Sequence, residues 1–307
     1  MIGPYTNLSM LYVSPLRYPG GKRKLANFVK LIYRANNLLD SEYIEPYAGG
    51  ASIALQLLYD EYVRYVHIND IDVSVFSFWH SVLYETEDLC NLILETPVTI
   101  KEWENQRDVQ QRGRQDNSDV SLLELGFSTF FLNRTNRSGI ISGGVIGGKD
   151  QAGKWKIDAR YNKENLVSRI RKIARFRNRI RLSNFDALEL LDTLSGKIAP
   201  QSLIYLDPPY FVKGTEDLYT RFYKKEDHEN VSKRVRKLKY NWMVSYDNVP
   251  EICKLYKEFQ SLTYDIHYSA RNRYKGSEVM FFSKKLLVPT VTEPTTLKTS
   301  AFQLELI

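Results

Sequence analysis

Residues 43–72 read YIEPYAGGASIALQLLYDEYVRYVHINDID, and this stretch decides the fold class of the chain. Tyr43 and Ile44 begin a short apolar run that ends at a turn containing proline and a Gly-Gly pair. Apolar residues then recur with a helical period from Ile53, and residues 62–68 alternate between apolar and polar side chains like a half-buried strand. The order strand, turn, helix, strand predicts the start of a doubly wound α/β sheet.

Further strand patterns extend this sheet toward the C-terminus. Residues 180–191, IRLSNFDALELL, predict a strand followed by the start of a helix, and residues 202–206, SLIYL, predict a buried strand. Residues 240–246, YNWMVSY, predict another strand that ends at Asp247. The segments TYDIHYSA and EVMFFS, which lie between residues 263 and 283, predict a final antiparallel pair.

Residues 85–165 interrupt the α/β pattern. Polar and charged residues dominate the first part of this region, and a glycine-rich basic loop follows a central apolar stretch. We predict an inserted, mainly helical module with a mobile loop or hairpin. Residues 14–84 and 166–287 are then predicted to form one discontinuous catalytic and cofactor-binding domain, with residues 288–307 as a peripheral tail.

The composition indicates a globular protein with a positive surface. The 307 residues carry a formal net charge of +7 and a pI of about 9.1, which favours a polyanionic partner. The chain contains no apolar run of about 18 residues and no signal-peptide pattern. Cys90 and Cys253 lie far apart in sequence. We therefore expect a cytoplasmic protein with reduced thiols and no membrane span, and the spacing of the histidines predicts no metal site.

The tetrapeptide Asp207-Pro208-Pro209-Tyr210 directly follows the predicted strand SLIYL. Its chemistry suits methylation of an exocyclic amine, whose lone pair is delocalised into the ring of the base. The Asp207 carboxylate and the Pro208 carbonyl can accept the two N–H hydrogens and push that nitrogen toward tetrahedral geometry. Tyr210 offers a flat face for a base flipped out of a duplex. The alternative interpretation is a strand that simply ends at a Pro-Pro turn.

A second site is predicted at the ends of the first two strands. Gly49 and Gly50 allow a ligand to approach the backbone closely. Asp70 follows the second strand, where nucleoside-binding α/β folds place an acid that accepts ribose hydroxyls, although Asp70 could instead cap the next helix. Residues 143–149, GGVIGGK, are similar to a phosphate-binding loop, but Asp150 stands where that motif needs Ser or Thr.

Four motifs occur in the order found in one enzyme family: LRYPGGK (16–22), YIEPYAGGAS (43–52), INDID (68–72) and DPPY (207–210). The set resembles the Dam-like, alpha-group (D12 class) adenine-specific DNA N6-methyltransferases over roughly residues 14–80 and 180–285. The resemblance implies the α/β fold of S-adenosylmethionine-dependent methyltransferases. This fold is a Rossmann-like, mostly parallel sheet with a C-terminal antiparallel strand pair, into which a mainly helical target-recognition module is inserted.

The resemblance also implies S-adenosylmethionine as the cofactor. The residues expected to contact it are Tyr18, Lys22, Glu45, Tyr47, Gly49, Asp70, Asp186 and Asp207. The family's glycine-rich turn usually reads Phe-x-Gly-x-Gly, and Tyr47-Ala48-Gly49-Gly50 departs from that spacing. Two alternatives stay open, because Lys22 could be a plain surface lysine and Asp186 could equally cap the helix that follows it.

Residues 131–139, FLNRTNRSG, look like the target-recognition segment of the same family. We predict DNA contacts from Arg134, Asn136, Arg137 and Lys149, since arginine reads guanine and asparagine can pair with adenine.

The expected function is site-specific methyl transfer to N6 of a flipped-out adenine in double-stranded DNA. The expected role is restriction-modification or DNA marking, by a monomer that a companion restriction endonuclease could accompany. Methyl transfer to cytosine N4, RNA adenine or a glutamine amide remains an alternative, and so does a DNA-binding protein without catalysis.

Overall fold

The computed structural model describes residues 13–17, 22–194, 196–211, 223–268 and 274–298. Its helices are α1 (Ala26–Ala35), α2 (Ser52–Tyr59), α3 (Val73–Tyr84), α4 (Thr86–Glu95), α5 (Ile100–Gly113), α6 (Leu122–Thr135), α7 (Lys163–Ala174), α8 (Ala187–Thr193), α9 (Lys225–Lys237) and α10 (Pro250–Leu255). Its strands are β1 (Ser41–Glu45), β2 (Val63–Asn69), β3 (Ile180–Ser183), β4 (Leu203–Leu206), β5 (Asn241–Asp247), β6 (Gln260–Tyr268) and β7 (Tyr274–Phe282).

Within the described ranges, seven strands form one sheet in the order β3-β2-β1-β4-β5-β7-β6. The pairs from β3 to β5 are parallel, whereas β7 runs antiparallel between β5 and β6. This arrangement confirms the predicted mostly parallel sheet with a C-terminal antiparallel pair. The strand order reverses between β1 and β4, and α/β sheets bind ligands at the carboxyl ends of strands at such a point.

Alternating side chains of the central strands face two separate apolar layers. Leu203 of β4 and Met243 of β5 belong to the larger core, which also contains Phe28 of α1. Ile204 and Val244, the next residues along, belong to the second core on the opposite face. Burial on both faces is what a parallel sheet requires, and it explains why the strand sequences read as continuous apolar runs.

The connection between β2 and β3 contains α3 to α7 and packs as helix on helix. Phe78 of α3 and Phe130 of α6 stack with ring centroids 6.0 Å apart. A Cβ at Gly126 would lie 2.6 Å from the Ser77 carbonyl oxygen, so glycine permits this close approach. Leu89 of α4 lies in the same core as the sheet residues. The helices are therefore continuous with the core, and the assignment of residues 85–165, which begin after α3, to DNA recognition stays a prediction.

A loop follows α6 and returns as an irregular hairpin. Asn136 and Val145 form an isolated antiparallel bridge, and the Arg137 amide donates to the Gly144 carbonyl at 2.9 Å.

At the other end of the chain, the segment after β7 runs beside α1, where Asn27 Nδ2 donates to the Leu297 carbonyl at 2.7 Å. Across the residues described, no helix has the length and apolarity needed to cross a membrane.

Candidate active site

Asn69, the last residue of β2, joins the turns that follow three neighbouring strands. Its buried Nδ2 donates to the Pro46 carbonyl at 2.9 Å and to the Phe185 carbonyl at 3.0 Å. Its Oδ1 accepts from Ser183 Oγ at 2.7 Å and from the Phe185 amide at 2.9 Å. A buried amide with its donors and acceptor paired fixes the geometry of these turns relative to one another.

Asp70 lies next to this junction and faces the glycine turn. Its Oδ2 accepts from the Gly49 amide at 2.8 Å, and its Oδ1 accepts from the Asp72 amide at 3.0 Å. Asp72, not Asp70, caps α3 by accepting from the Ser74 amide at 2.9 Å. Burial, with a smaller contribution from the charge of Asp72, raises the pKa of Asp70 to about 7. The alternative that Asp70 caps α3 is therefore wrong. Its carboxylate instead accepts a hydrogen bond from the turn that follows β1.

Glu45, Tyr47 and Asp186, which are also expected at the cofactor, lie around the same strand ends. Burial raises the pKa of Glu45, at the end of β1, to about 8. Tyr47 Oη lies 2.9 Å from Tyr223 Oη, and Asp186 caps α8 by accepting from the Leu188 amide at 2.9 Å. Tyr18 lies outside the described residues.

Phe185 is a feature of this site that the sequence motifs did not single out. Phe185 directly precedes Asp186, its backbone is bound by Asn69, and it is 41% exposed, although large apolar side chains are mostly buried in this protein. Carboxylates that can accept hydroxyl hydrogens and an exposed aromatic face form a set of groups that fits a nucleoside. The only signal in the sequence is an aromatic residue directly after the strand IRLS.

The Asp207-Pro208-Pro209-Tyr210 turn begins where β4 ends, and β5 supports it from the side. Ser245 Oγ donates to Asp207 Oδ1 at 2.7 Å and lies 2.8 Å from Tyr205 Oη. The amide of Phe211 donates to Asp247 Oδ1 at 2.9 Å, which ties the far side of the turn to the end of β5. Two strands thus hold the position of the carboxylate before any substrate is bound.

Lys22 lies against this turn rather than on the surface. Its side chain is 5% exposed, and Nζ lies 3.4 Å from Asp207 Oδ1 and 2.7 Å from Glu278 Oε2. Nζ also donates a hydrogen bond to Tyr210 Oη. Burial alone lowers the pKa of Lys22, but the charges of Asp207 and Glu278 outweigh burial and the pKa is raised. Lys22 is therefore charged, and the surface-lysine alternative is wrong.

Glu278, on β7, completes this group and was not identified from the sequence. The carboxylate is fully buried and accepts from Lys22 Nζ, from Tyr210 Oη and, at 2.6 Å, from Tyr264 Oη. Burial raises the pKa of Glu278, but Lys22 and the three hydrogen bonds outweigh burial and the pKa is lowered. The alternation of β7 holds a usable signal, because Glu278 shares its face with the buried residues Met280 and Phe282.

Asp207 has the chemistry that the sequence predicts for a carboxylate at a reacting centre. Burial raises its pKa, Lys22 lowers it and Glu278 raises it, and the result is a pKa of about 6. At neutral pH the carboxylate is ionised and can accept hydrogen bonds from an amine. Tyr210 is buried with its hydroxyl anchored on Glu278, so its predicted stacking on a base remains a prediction.

The residues predicted to contact DNA occupy different environments. Arg137 and Lys149 are exposed on the loop after α6, where Lys149 Nζ lies 3.2 Å from Glu104 Oε1. Arg134 is half-buried and donates through Nε to the Arg160 carbonyl at 2.8 Å. Asn136 is fully buried: its Oδ1 accepts from Trp103 Nε1 at 2.6 Å, and its Nδ2 donates to two loop carbonyls. Of the four residues predicted to contact DNA, only Arg137 and Lys149 carry well-exposed side chains.

Several known proteins are similar to this chain over part or most of its length. A curated protein of Prochlorococcus marinus (strain MIT 9515), named "Probable malate:quinone oxidoreductase", is 27% identical over 143 residues, which are 46% of this chain and 26% of that protein. The chain therefore spans about a quarter of that relative. Among solved structures, the rRNA methyltransferase aviRa of Streptomyces viridochromogenes overlaps with a TM-score of 0.36 at 12% identity, covering 87% of this chain and 86% of its own.

A protein of Pyrococcus horikoshii, described provisionally as an RNA methyltransferase, overlaps with a TM-score of 0.39 at 9% identity, covering 92% of this chain and 94% of its own. Likenesses at this level do not indicate a substrate.

A family model described as D12 class N6 adenine-specific DNA methyltransferase matches residues 18–271, well over half of the chain. The chain belongs to the D12 class N6 adenine-specific DNA methyltransferase family.

Proposed function

We propose that this protein transfers a methyl group from S-adenosylmethionine to N6 of an adenine at specific sites in double-stranded DNA. The observation that carries the proposal is the turn Asp207-Pro208-Pro209-Tyr210 at the carboxyl end of β4, with its carboxylate anchored by Ser245 and Lys22. Membership of the family supports adenine in DNA as the acceptor.

The turn supplies what an aromatic amine needs in order to act as a nucleophile. In the proposed reaction, the Asp207 carboxylate and the Pro208 carbonyl accept the two N6 hydrogens, and the nitrogen lone pair turns toward the methyl group. The N–C bond forms as the C–S bond breaks, and the electron pair of that bond stays on sulfur. The nitrogen is then cationic and releases a proton, which ionised Asp207 can accept.

The carboxyl ends of β1, β2 and β3 are proposed to hold the cofactor. S-adenosylmethionine supplies an electrophilic methyl group when it is bound. Asp70 would accept hydrogen bonds from ribose hydroxyls, because each carboxylate oxygen retains a lone pair beyond those used by Gly49 and Asp72. Phe185 would pack against the base of the cofactor, and Asp186 would lie at its edge.

DNA binding is proposed for the outer surface of the helical region and its loop. A formal net charge of +7 attracts the phosphate backbone, and exposed Arg137 and Lys149 are the candidates for contact with the duplex. Adenine must leave the base stack to reach a buried turn, so the proposal includes base flipping. A role in restriction-modification or DNA marking, with a separate companion nuclease, and a monomeric state belong to the same proposal.

Methyl transfer from labelled S-adenosylmethionine to DNA and to RNA tests this function. We expect label in DNA only, recovered as N6-methyladenine after digestion to nucleosides, and no label with the Asp207→Ala variant. Recovery of the label as N4-methylcytosine, or in RNA alone, would show that the acceptor is not adenine in DNA. Binding of DNA without any transfer by the wild-type protein would favour the non-catalytic alternative.

A further inference from the structure

We propose that Glu278 is a positioning residue of the methyl-transfer reaction. It holds Lys22 against Asp207 and keeps this group of three charges net negative at the place where a cation forms. The inference rests on the proposed function and assigns a role to a residue that lies far from the Asp207-Pro208-Pro209-Tyr210 motif in the sequence.

Glu278 contacts one end of the catalytic turn directly and the other end through Lys22. Its Oε2 accepts from Lys22 Nζ at 2.7 Å and from Tyr264 Oη at 2.6 Å, while its Oε1 accepts from Tyr210 Oη. Lys22 in turn lies 3.4 Å from Asp207 Oδ1. One carboxylate therefore orients the lysine that pairs with Asp207 and the tyrosine that ends the turn.

The sheet itself places this carboxylate. In the register of the last three strands, Asp247 of β5 and Tyr264 of β6 lie on either side of Glu278. Side chains opposite one another in adjacent strands lie on the same face of the sheet, and this face also carries Asp207 and Ser245. Glu278 is completely excluded from water, so its charge acts on Lys22 with little screening.

The charges of this group suit a reaction that creates a cation. One lysine and two carboxylates, all ionised, carry one net negative charge in a site where Lys22 and Glu278 are almost fully excluded from water and Asp207 is partly exposed. During methyl transfer, positive charge moves from sulfur to the adenine nitrogen, beside Asp207. A fixed negative field at that point lowers the barrier. Without the charge of Glu278, Lys22 would neutralise Asp207 and the field would vanish.

The same charges set the pH at which Asp207 ionises. The charge of Glu278 raises the pKa of Asp207, and Lys22 lowers it. Loss of the negative charge at position 278 therefore lowers the pKa of Asp207 below about 6. Among the described residues, the titratable and charged groups that face Glu278 include Lys22, Tyr205, Asp207, Tyr210, Asp247 and Tyr264.

The test compares the pH dependence of methyl transfer to DNA in the full-length wild type and in Glu278→Gln. The expected maximal rate of the variant is about tenfold or more below that of the wild type. The expected midpoint of its acid limb lies on the order of half to one pH unit lower. The affinity for S-adenosylmethionine, measured by calorimetry, is expected to stay within about twofold of the wild type, because the substitution removes no group proposed to contact the cofactor.

Three further variants test whether the effect depends on the negative charge of Glu278. Glu278→Asp keeps the charge and is expected to keep the wild-type midpoint, even if its rate is lower. Tyr264→Phe removes one hydrogen bond to the same carboxylate and is expected to show no downward shift of the midpoint. Glu258→Gln removes an exposed carboxylate that pairs with Arg236 at 2.6 Å, and it is expected to match the wild type in both rate and midpoint.

Two results for a folded Glu278→Gln variant would overturn the proposal. A full maximal rate in Glu278→Gln would mean that the charge does not act on the reaction. A lower rate with an unshifted midpoint would mean that Glu278 only supports the fold. Should Glu278→Gln not fold, the proposal fails if Glu278→Asp shifts the midpoint downward. Absence of transfer to DNA by the wild type refutes instead the proposed function, so the two failures are distinguishable.

Discussion

The substitution Asp207→Asn is expected to lower activity and raise stability at the same time. Asparagine keeps the size of the side chain but removes the charge that Lys22 faces and weakens the acceptor for an amine hydrogen. Loss of a strong acceptor at a reacting centre commonly costs about a hundredfold or more in rate. Methyl transfer to DNA by Asp207→Asn is therefore expected to fall at least about a hundredfold below that of the wild type.

The stability gain follows from the pKa of Asp207. Folding moves this pKa from 3.8 to about 6, so the ionised form is less favourable in the folded protein than in the unfolded chain. A shift of about two units corresponds to roughly 3 kcal/mol at neutral pH. The side chain is 26% exposed, and access of water reduces the figure to about 2 kcal/mol.

The sign of this effect depends on pH. A carboxyl group with a raised pKa destabilises the folded state above that pKa, and the cost diminishes as the pH falls through about 6 toward 3.8. Asp207→Asn is therefore expected to be more stable than the wild type by about 2 kcal/mol at pH 7.5 and by about half of that at pH 5. The melting temperature at pH 7.5 is expected to rise by a few degrees.

Urea denaturation at the two pH values measures the effect on stability. Ser245→Ala provides the matched control, because it removes the hydrogen bond of 2.7 Å to Asp207 Oδ1 and leaves the charge in place. The control is expected to show no gain in stability at either pH. The reasoning is refuted if Asp207→Asn is less stable than the wild type at pH 7.5, or if it retains more than about a tenth of the wild-type rate.

Three further substitutions test the cofactor site, the loop after α6 and the DNA surface. Asp70→Asn is expected to weaken S-adenosylmethionine binding about tenfold in calorimetry, because it removes a charged acceptor, and an unchanged affinity would contradict this assignment. Gly139→Ala is expected to cost about 1–3 kcal/mol in urea denaturation. Gly139 has a φ of +78°, and its new Cβ would lie 2.4 Å from the Arg17 carbonyl oxygen; Gly144→Ala, with nothing within 4 Å, is the control and should match the wild type. Arg137→Ala is expected to reduce the ratio of methylation rates on a target duplex and on its single-base variants, and the same ratio in both proteins would place the reading surface elsewhere.

The strands and helices that form the sheet were predictable because their signals are local. The periodicity of residues 43–72 depends on neighbours a few positions apart, and β1, α2 and β2 follow it. The turn after β4 and the acid after β2 were also recognisable, since the carboxyl ends of parallel strands meet at one edge of a sheet. The sequence by itself therefore determined the fold class, the order of the strand and helix units and the position of Asp207.

Only the tertiary structure decided which polar side chains meet. Lys22 and Glu278 are separated by 256 positions, and their contact requires β7 to lie between β5 and β6 beside the first helix. Asn136, a candidate for reading bases in the sequence, is buried because Trp103 and the loop carbonyls take its hydrogen bonds. Whether a polar group faces solvent or another segment depends on how distant parts of the chain pack, and no local pattern carries that information.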